Sequence, residues 1–265
     1  MNIVKFWNGN KSPARQAYEL ELLRLCLLGD ETNGSLLKIE VDNTDYPSAV
    51  DEGNIFSKGC DVLVTVAGNV KFANKDKIEI NQPICMGLLG CRALVIRSED
   101  SALFASISSA PTLQKLSAGI PATWADAELF RHNGYKVVEK GSLNDIFSRL
   151  KNHQCDYVAL GAIEIDDLYA QFGYPLGSLQ IESTLLLYYP LPLVFYVNPQ
   201  RASLAKQLQL GLTAIMQNGQ HQHLFNKHFG EVLEGLALSF RTLISLENAN
   251  LPASLQNFRP STLFD

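Results

Sequence analysis

The chain has 265 residues, of which 46% are hydrophobic and only 18% charged; at ~150 residues per domain this is enough for about two globular domains, and it excludes a disordered or coiled-coil chain. Lys and Arg number 22 against 27 Asp and Glu, a net charge of −5, with no basic run to track a phosphate backbone, so nucleic acid is not expected as a partner. The longest apolar stretch, residues 185–197, is shorter than the ~20 residues of a membrane span and is interrupted by Pro190 and Pro192.

In chain order, residues 3–7 predict a strand and residues 8–12 (NGNKS) a polar turn ending on Ser12 as helix cap, with Pro13 at the first helical position. Tyr18, Leu22, Leu25 and Cys26 recur at helical spacing up to Gly29, which closes that helix. A strand at 36–41, a short helix at 47–57 and a strand at 61–66 follow. This alternation predicts a parallel sheet whose ligand crevice lies beyond the carboxyl ends of the strands. Residues 91–96 form a further strand, and after Ser98 the cycle restarts with residues 114–119, a helix over 124–133 and residues 136–138. A helix over 143–152, strands at 156–160 and 193–197, helices over 204–218 and 221–229, and an irregular tail over 246–260 complete the chain. The expected fold class is α/β in two lobes, each a mainly parallel sheet flanked by helices. Lobe 1 takes residues 1–97 and 199–265, lobe 2 residues 98–198, with hinges near 93–98 and 196–199.

Cys26, Cys60, Cys85, Cys91 and Cys155 show neither a CxxC pair nor zinc-site spacing; Cys26 and Cys155 read as buried, and a Cys85 to Cys91 bridge stays open. His221, His223 and His228 share one segment, but His221 and His223 cannot share a helix face and no thiol or acid flanks them, so no metal is expected. A P-loop, GxSxG and GxGxxG are all missing, and no cofactor is expected. Residues 119–126 (GIPATWAD) feed a helix capped by Thr123, with Asp126 completing a capping box; its free N–H groups and the Trp124 indole would suit a ligand, while plain capping explains the same motif. Taken with the strand-end rule, Trp7, Asn8, Thr65, Gly68, Asn69, Thr123, Trp124 and Glu164 are the candidate ligand-binding residues. Arg92, inside a strand, is either a ligand contact or half of a structural ion pair between the lobes.

A series of short motifs runs through the chain in order. Arg15, Tyr18, Leu22, Leu23 and Leu25 form R-x-x-Y-x-x-x-L-L-x-L; Gly87, Leu88, Leu89, Gly90 and Arg92 form G-L-L-G-x-R; Gly119, Trp124 and Asp126 form G-x-x-x-x-W-x-D. Then come Ile146, Phe147 and Leu150, Asp156 and Tyr157 with Glu164 and Ile165 downstream, Ile181 and Glu182, and finally Asn218, Gly219, Leu224 and Phe225. In this order and spacing the chain resembles a divergent branch of the bacterial solute-binding proteins of the amino-acid-binding type, which have the type II periplasmic binding fold. The resemblance implies a monomeric, non-catalytic module in the periplasm, its export signal removed. It would close two lobes on a small polar solute for an ABC-type transporter permease or a membrane sensor. At the family's carboxylate-binding Arg stands Asn74, beside Lys75, and at its ammonium-binding Asp stands Gly161, with Glu164 the nearest acid. These departures point away from plain α-amino acids as ligands. The alternative is an enzyme of the dehydratase or deaminase type on the same fold, and a regulator's effector domain comes third.

Overall fold

The computed structural model describes residues 2–29, 37–122, 124–256 and 258. Its strands are β1 (Asn2–Trp7), β2 (Leu37–Asp42), β3 (Val62–Val66), β4 (Ile78–Ile80), β5 (Cys91–Arg97), β6 (Ser117–Ile120), β7 (Lys136–Glu139), β8 (Tyr157–Gly161), β9 (Leu179–Ile181), β10 (Leu185–Tyr188), β11 (Leu193–Val197) and β12 (Thr242–Ser245). Its helices are α1 (Pro13–Leu28), α2 (Ala49–Gly53), α3 (Ser101–Ala105), α4 (Ala110–Leu113), α5 (Asp126–His132), α6 (Leu143–Lys151), α7 (Ile165–Leu168), α8 (Ala202–Gln217) and α9 (Gln220–Leu236). No described helix is long and apolar enough to cross a membrane.

Two compact units divide the chain, Met1–Cys85 with Leu193–Glu231 and Met86–Pro192 with Val232–Asp265. This division differs from the expected one. Cys91–Arg97 does not belong to the first sheet, because β5 pairs antiparallel with β8 and β10. Leu193–Val197, expected in lobe 2, pairs with β3 and β4 instead, and Thr242–Ser245, expected in lobe 1, supplies β12 to β10. The chain therefore changes units after Cys85 and after Pro192, ahead of β5 and β11 rather than behind them, and a third time after Glu231.

The first unit is built on the sheet β2-β1-β3-β11-β4, in which β1, β2 and β3 run parallel and β11 runs against β3 and β4. Ser12 caps α1 by accepting the Arg15 amide at 3.3 Å, and Gly29 ends it at φ +65°, as the sequence predicts. The buried stripe of α1 is Tyr18, Leu22, Leu23, Cys26 and Leu27, with Glu19 among them. α8 lies against α1 so closely that a Cβ on Gly211 would stand 2.0 Å from the Cys26 carbonyl oxygen. The Ile84 carbonyl accepts the Tyr18 hydroxyl and the His221 Nε2–H, the latter at 2.8 Å, tying α1 and α9 to the chain just before it leaves the unit.

The second unit carries the sheet β12-β10-β5-β8-β6-β7, with β9 paired to β5. β6, β7 and β8 are parallel while β5 opposes β8 and β10, so both sheets are mixed rather than mainly parallel. Ser142 and Asp145 form a full capping box at the start of α6, whose Ile146, Phe147 and Leu150 are buried. Cys26, Cys60, Cys91 and Cys155 are free buried thiols, so the Cys85 to Cys91 bridge is not formed.

Two outcomes follow from the packing of the first unit. Gly211→Ala forces α8 off α1 and lowers stability by about 1–3 kcal/mol, read as a shift of the urea midpoint. Burial holds the His221 pKa below its ordinary value. The unfolded chain then takes up the proton first, and stability is lost as pH falls from about 6.5 through the folded pKa. His221→Gln removes that part of the pH dependence; an unchanged stability profile in the variant would contradict it.

Candidate functional site

In the first unit, buried polar side chains gather beyond the carboxyl ends of β1 and β3, parallel neighbours with Trp7 opposite Leu63. Asn8 and Gln16 exchange side-chain to backbone bonds, both at 2.9 Å, which clasp the turn after β1 to α1. Among the described residues the buried Asn8 Oδ1 has no hydrogen-bond partner. Thr65 Oγ1 accepts from Asn69 Nδ2 at 2.8 Å, and Asn69 Oδ1 accepts the Lys71 amide at 3.0 Å. Gly68 turns the chain at φ +74°, and its amide donates to the Tyr196 hydroxyl at 3.2 Å. The Trp7 indole donates to the Thr44 carbonyl at 2.9 Å.

Beside these residues lies an ionic triad. Glu19 is fully buried, with Lys11 Nζ 2.5 Å from one carboxylate oxygen and Arg15 Nη2 2.8 Å from the other. The Lys11 ammonium also stands 5.6 Å from the Phe6 ring centroid and 5.9 Å from that of Trp7. Burial pulls the Lys11 pKa below its ordinary value, and Glu19 opposes that shift. One carboxylate thus anchors both cations beside the strand ends.

In the second unit, the antiparallel run of β5 sets Arg92 opposite Gly161, at the carboxyl end of β8. Arg92 Nη2 lies 2.7 Å from Asp126 Oδ1, and the same oxygen accepts the Tyr189 hydroxyl. The guanidinium sits 5.2 Å over the Tyr189 ring. A Cβ on Gly161 would stand 3.2 Å from Glu164 Oε2 and 3.3 Å from Arg92 Nη1, so the glycine leaves the room in which a second carboxylate approaches the same cation. Burial lowers the Arg92 pKa, but Asp126, Tyr189 and Glu164 outweigh it and hold the guanidinium above its ordinary value. Burial keeps the Tyr189 phenol well above its own, so it remains a donor.

This geometry replaces the expected capping box: α5 begins at Asp126 behind Ala125, with no side-chain cap, and the Asp126 carboxylate is committed to Arg92 and Tyr189. Arg92 is in an ion pair, but its partner Asp126 belongs to the same unit, so the pair is not the one between lobes that was expected. Trp124 is half-buried, its amide donating to the Pro121 carbonyl at 3.3 Å, and Glu164 closes the turn after β8 by donating its amide to Gly161 at 2.9 Å. Trp7, Asn8, Thr65, Gly68 and Asn69 are thus gathered in the first unit, Arg92, Trp124 and Glu164 in the second, and Thr123 lies outside the described residues. Lys75, beside the exposed Asn74, donates to Asn54 Oδ1 at 2.8 Å.

Lys11, Glu19 and Tyr189 were not among the residues expected from the sequence. A glutamate within the apolar stripe of a helix, with a cation four residues before it and another eight before, is the signal for the triad. Tyr189 is hidden in an aromatic and proline-rich run that reads only as core.

Protein-family models and curated protein sequences give no match to the chain. Solved structures do. An ancestral arginine-binding protein bound to arginine is 17% identical, covering 87% of this chain and 99% of its own, at a TM-score of 0.58. A structure from glutathione import via GshT and the cystine ABC importer TcyBC of Streptococcus mutans is 14% identical, with 86% and 95% covered and a TM-score of 0.59. A histidine kinase sensor domain with similarity to periplasmic binding proteins is 17% identical, with 86% and 96% covered and a TM-score of 0.58. At these identities the likeness is one of fold.

Removing one partner of the buried pair leaves an unpaired charge, so Asp126→Asn costs about 3–5 kcal/mol, and Tyr189→Phe, which loses one hydrogen bond, about 1–3 kcal/mol. A double-mutant cycle of Arg92→Met with Asp126→Leu, followed by urea denaturation, gives a double variant less destabilised than the sum of the singles. Additive losses would show that the pair does not couple.

Proposed function

We propose that this chain, which has the fold of the amino-acid-type periplasmic binding proteins, is a non-catalytic binding module for a small polar solute. It serves an ABC-type transporter or a membrane sensor from the periplasm. The observation that carries this reading is the gathering of the buried polar side chains of Asn8, Thr65 and Asn69 at the carboxyl ends of β1 and β3. Open α/β sheets bind ligands at that end of their strands. Structures of similar fold include an arginine-binding protein and a histidine kinase sensor domain, the two kinds of service proposed.

Asn74 and Gly161 occupy the positions where amino-acid binders of this type carry their Arg and Asp, so free α-amino acids are the weaker ligands. Trp124, half-buried ahead of α5, is assigned the apolar face against which the solute stacks.

A thermal-shift screen of small polar metabolites tests the reading. A matching solute at a hundredfold excess over its dissociation constant stabilises the protein by ~2.7 kcal/mol and is recovered unchanged by mass spectrometry. Trp124→Ala loses most of the gain; undiminished binding in that variant removes the stacking role. A solute recovered chemically altered would overturn the binding-module reading in favour of a dehydratase or deaminase.

A further inference from the structure

At the outer ends of the two sheets stand β2, β4, β7 and β12. β2 carries Lys38, Glu40 and Asp42, β4 carries Glu79, and β7 carries Lys136 and Glu139. Charges on an edge strand keep other strands from pairing with it. β12, with the sequence Thr-Leu-Ile-Ser, has none.

Among the described strands β12 pairs only with β10, in a parallel register that runs from Thr242 beside Leu185 to Ser245 beside Tyr188. The Thr242 amide donates to the Thr184 carbonyl at 2.7 Å, and the Leu246 amide to the Tyr188 carbonyl at 2.8 Å. Backbone groups alternate in direction along a strand, so the N–H and C=O of Leu243 and Ser245 point away from β10. They meet no backbone partner among the described residues. Both residues are exposed, Leu243 to 39%, and Phe240 just ahead of the strand is 90% exposed, more than any other large apolar side chain described. The open stretch is short. Past Ser245 it is closed by Asn133, whose side chain donates to the Glu247 carbonyl at 2.7 Å and accepts the Glu247 amide at 2.8 Å.

An edge with outward groups on either side of Ile244 is complementary to itself. Turned about a two-fold axis through Ile244, a second copy sets its Ser245 against Leu243 and its Leu243 against Ser245, so that each outward N–H faces an outward C=O in an antiparallel pair. The two Leu243 side chains become diagonal neighbours on one face. The same register brings Arg241 of each copy opposite Glu247 of the other. Within its own copy Arg241 donates to the backbone carbonyls of Leu236, Glu182 and Leu185, and the Glu247 carboxylate is exposed, so opposite charges flank the pair at both ends.

We infer that the free edge of β12 is a docking surface for a second copy of this chain, the two β12 strands joining antiparallel about a two-fold axis into one continuous sheet. The contact is small beside the ~1,200 Å² of a stable interface, so the pair forms and parts with protein concentration. This assembly takes the place of the monomer that the resemblance implies, and it rests on none of the residues of the proposed solute site.

Sedimentation velocity over ~5 to ~500 µM protein reads the association, with an expected dissociation constant on the order of 10–100 µM. Leu243→Lys and Leu243→Glu each set like charges diagonal to one another across the axis and weaken it about tenfold or more, whereas an equimolar mixture of the two variants restores it. Both substitutions fall on an exposed side chain, and urea midpoints equal to the parent's show that the fold is kept. A parent that stays monomeric at ~500 µM overturns the inference. So does a dimer that forms only once residues 259–265 are removed, which assigns the edge to the chain's own C-terminal segment. A dimer indifferent to both charges, or a mixture no tighter than either variant alone, places the contact elsewhere and overturns it as well.

Discussion

A guanidinium removed from water must find opposite charge, and the placement of Arg92 at the first turn of β5 imposes that demand on most of the second unit. Asp126 meets it from the start of α5, and Tyr189 meets it from the end of β10 by bonding to the same carboxylate oxygen. β8 yields by placing a glycine opposite, so that Glu164 and Arg92 share the space a Cβ would fill. The Tyr189 backbone adds a bond of 3.2 Å to the Gly90 carbonyl, and a Cβ on Gly90 would stand 2.0 Å from the Tyr189 carbonyl oxygen. Charge, ring and backbone thus converge on a few residues on either side of β5, and the second glycine and the arginine of the G-L-L-G-x-R motif become intelligible as parts of that junction.

The first unit solves the opposite problem, a buried carboxylate. Glu19 lies on the inward stripe of α1 between Tyr18 and Leu22, where an uncompensated charge would be prohibitive. Lys11 and Arg15 compensate it from the loop and the first turn, beside the ends of β1 and β3 where Asn8 and Thr65 lie.

Features of the fold written locally were legible. Ser12, Pro13 and Gly29 bracket α1, and residues 61–66 read as a buried strand, because caps and apolar runs are properties of adjacent residues. Strands β4 and β9, three residues each, carry no period, and β10 and β12, four each, were passed over for the same reason. Strand direction was illegible too: the antiparallel course of β5 and β11 is decided by strands more than sixty positions away in the sequence. In the sites, the strand-end rule led to Trp7, Asn8, Thr65 and Asn69. Asp126 misled because an acid three residues after a cap and an acid awaiting a distant arginine look the same in a sequence.

The order in which the two sheets are completed has a consequence for synthesis. β3 is a central, apolar strand whose outer partner, β11, lies more than a hundred residues downstream, and β4 joins the sheet only through β11. The second sheet in turn waits for β12, beyond α8 and α9. While the ribosome is making residues 86–192, the first sheet therefore presents Val62–Val66 as a bare hydrophobic edge, a template for pairing with any other strand in reach. Each unit is stitched shut by chain that follows the other, so neither can be cut out as one continuous fragment, and a nascent chain halted before Leu193 holds two unfinished sheets.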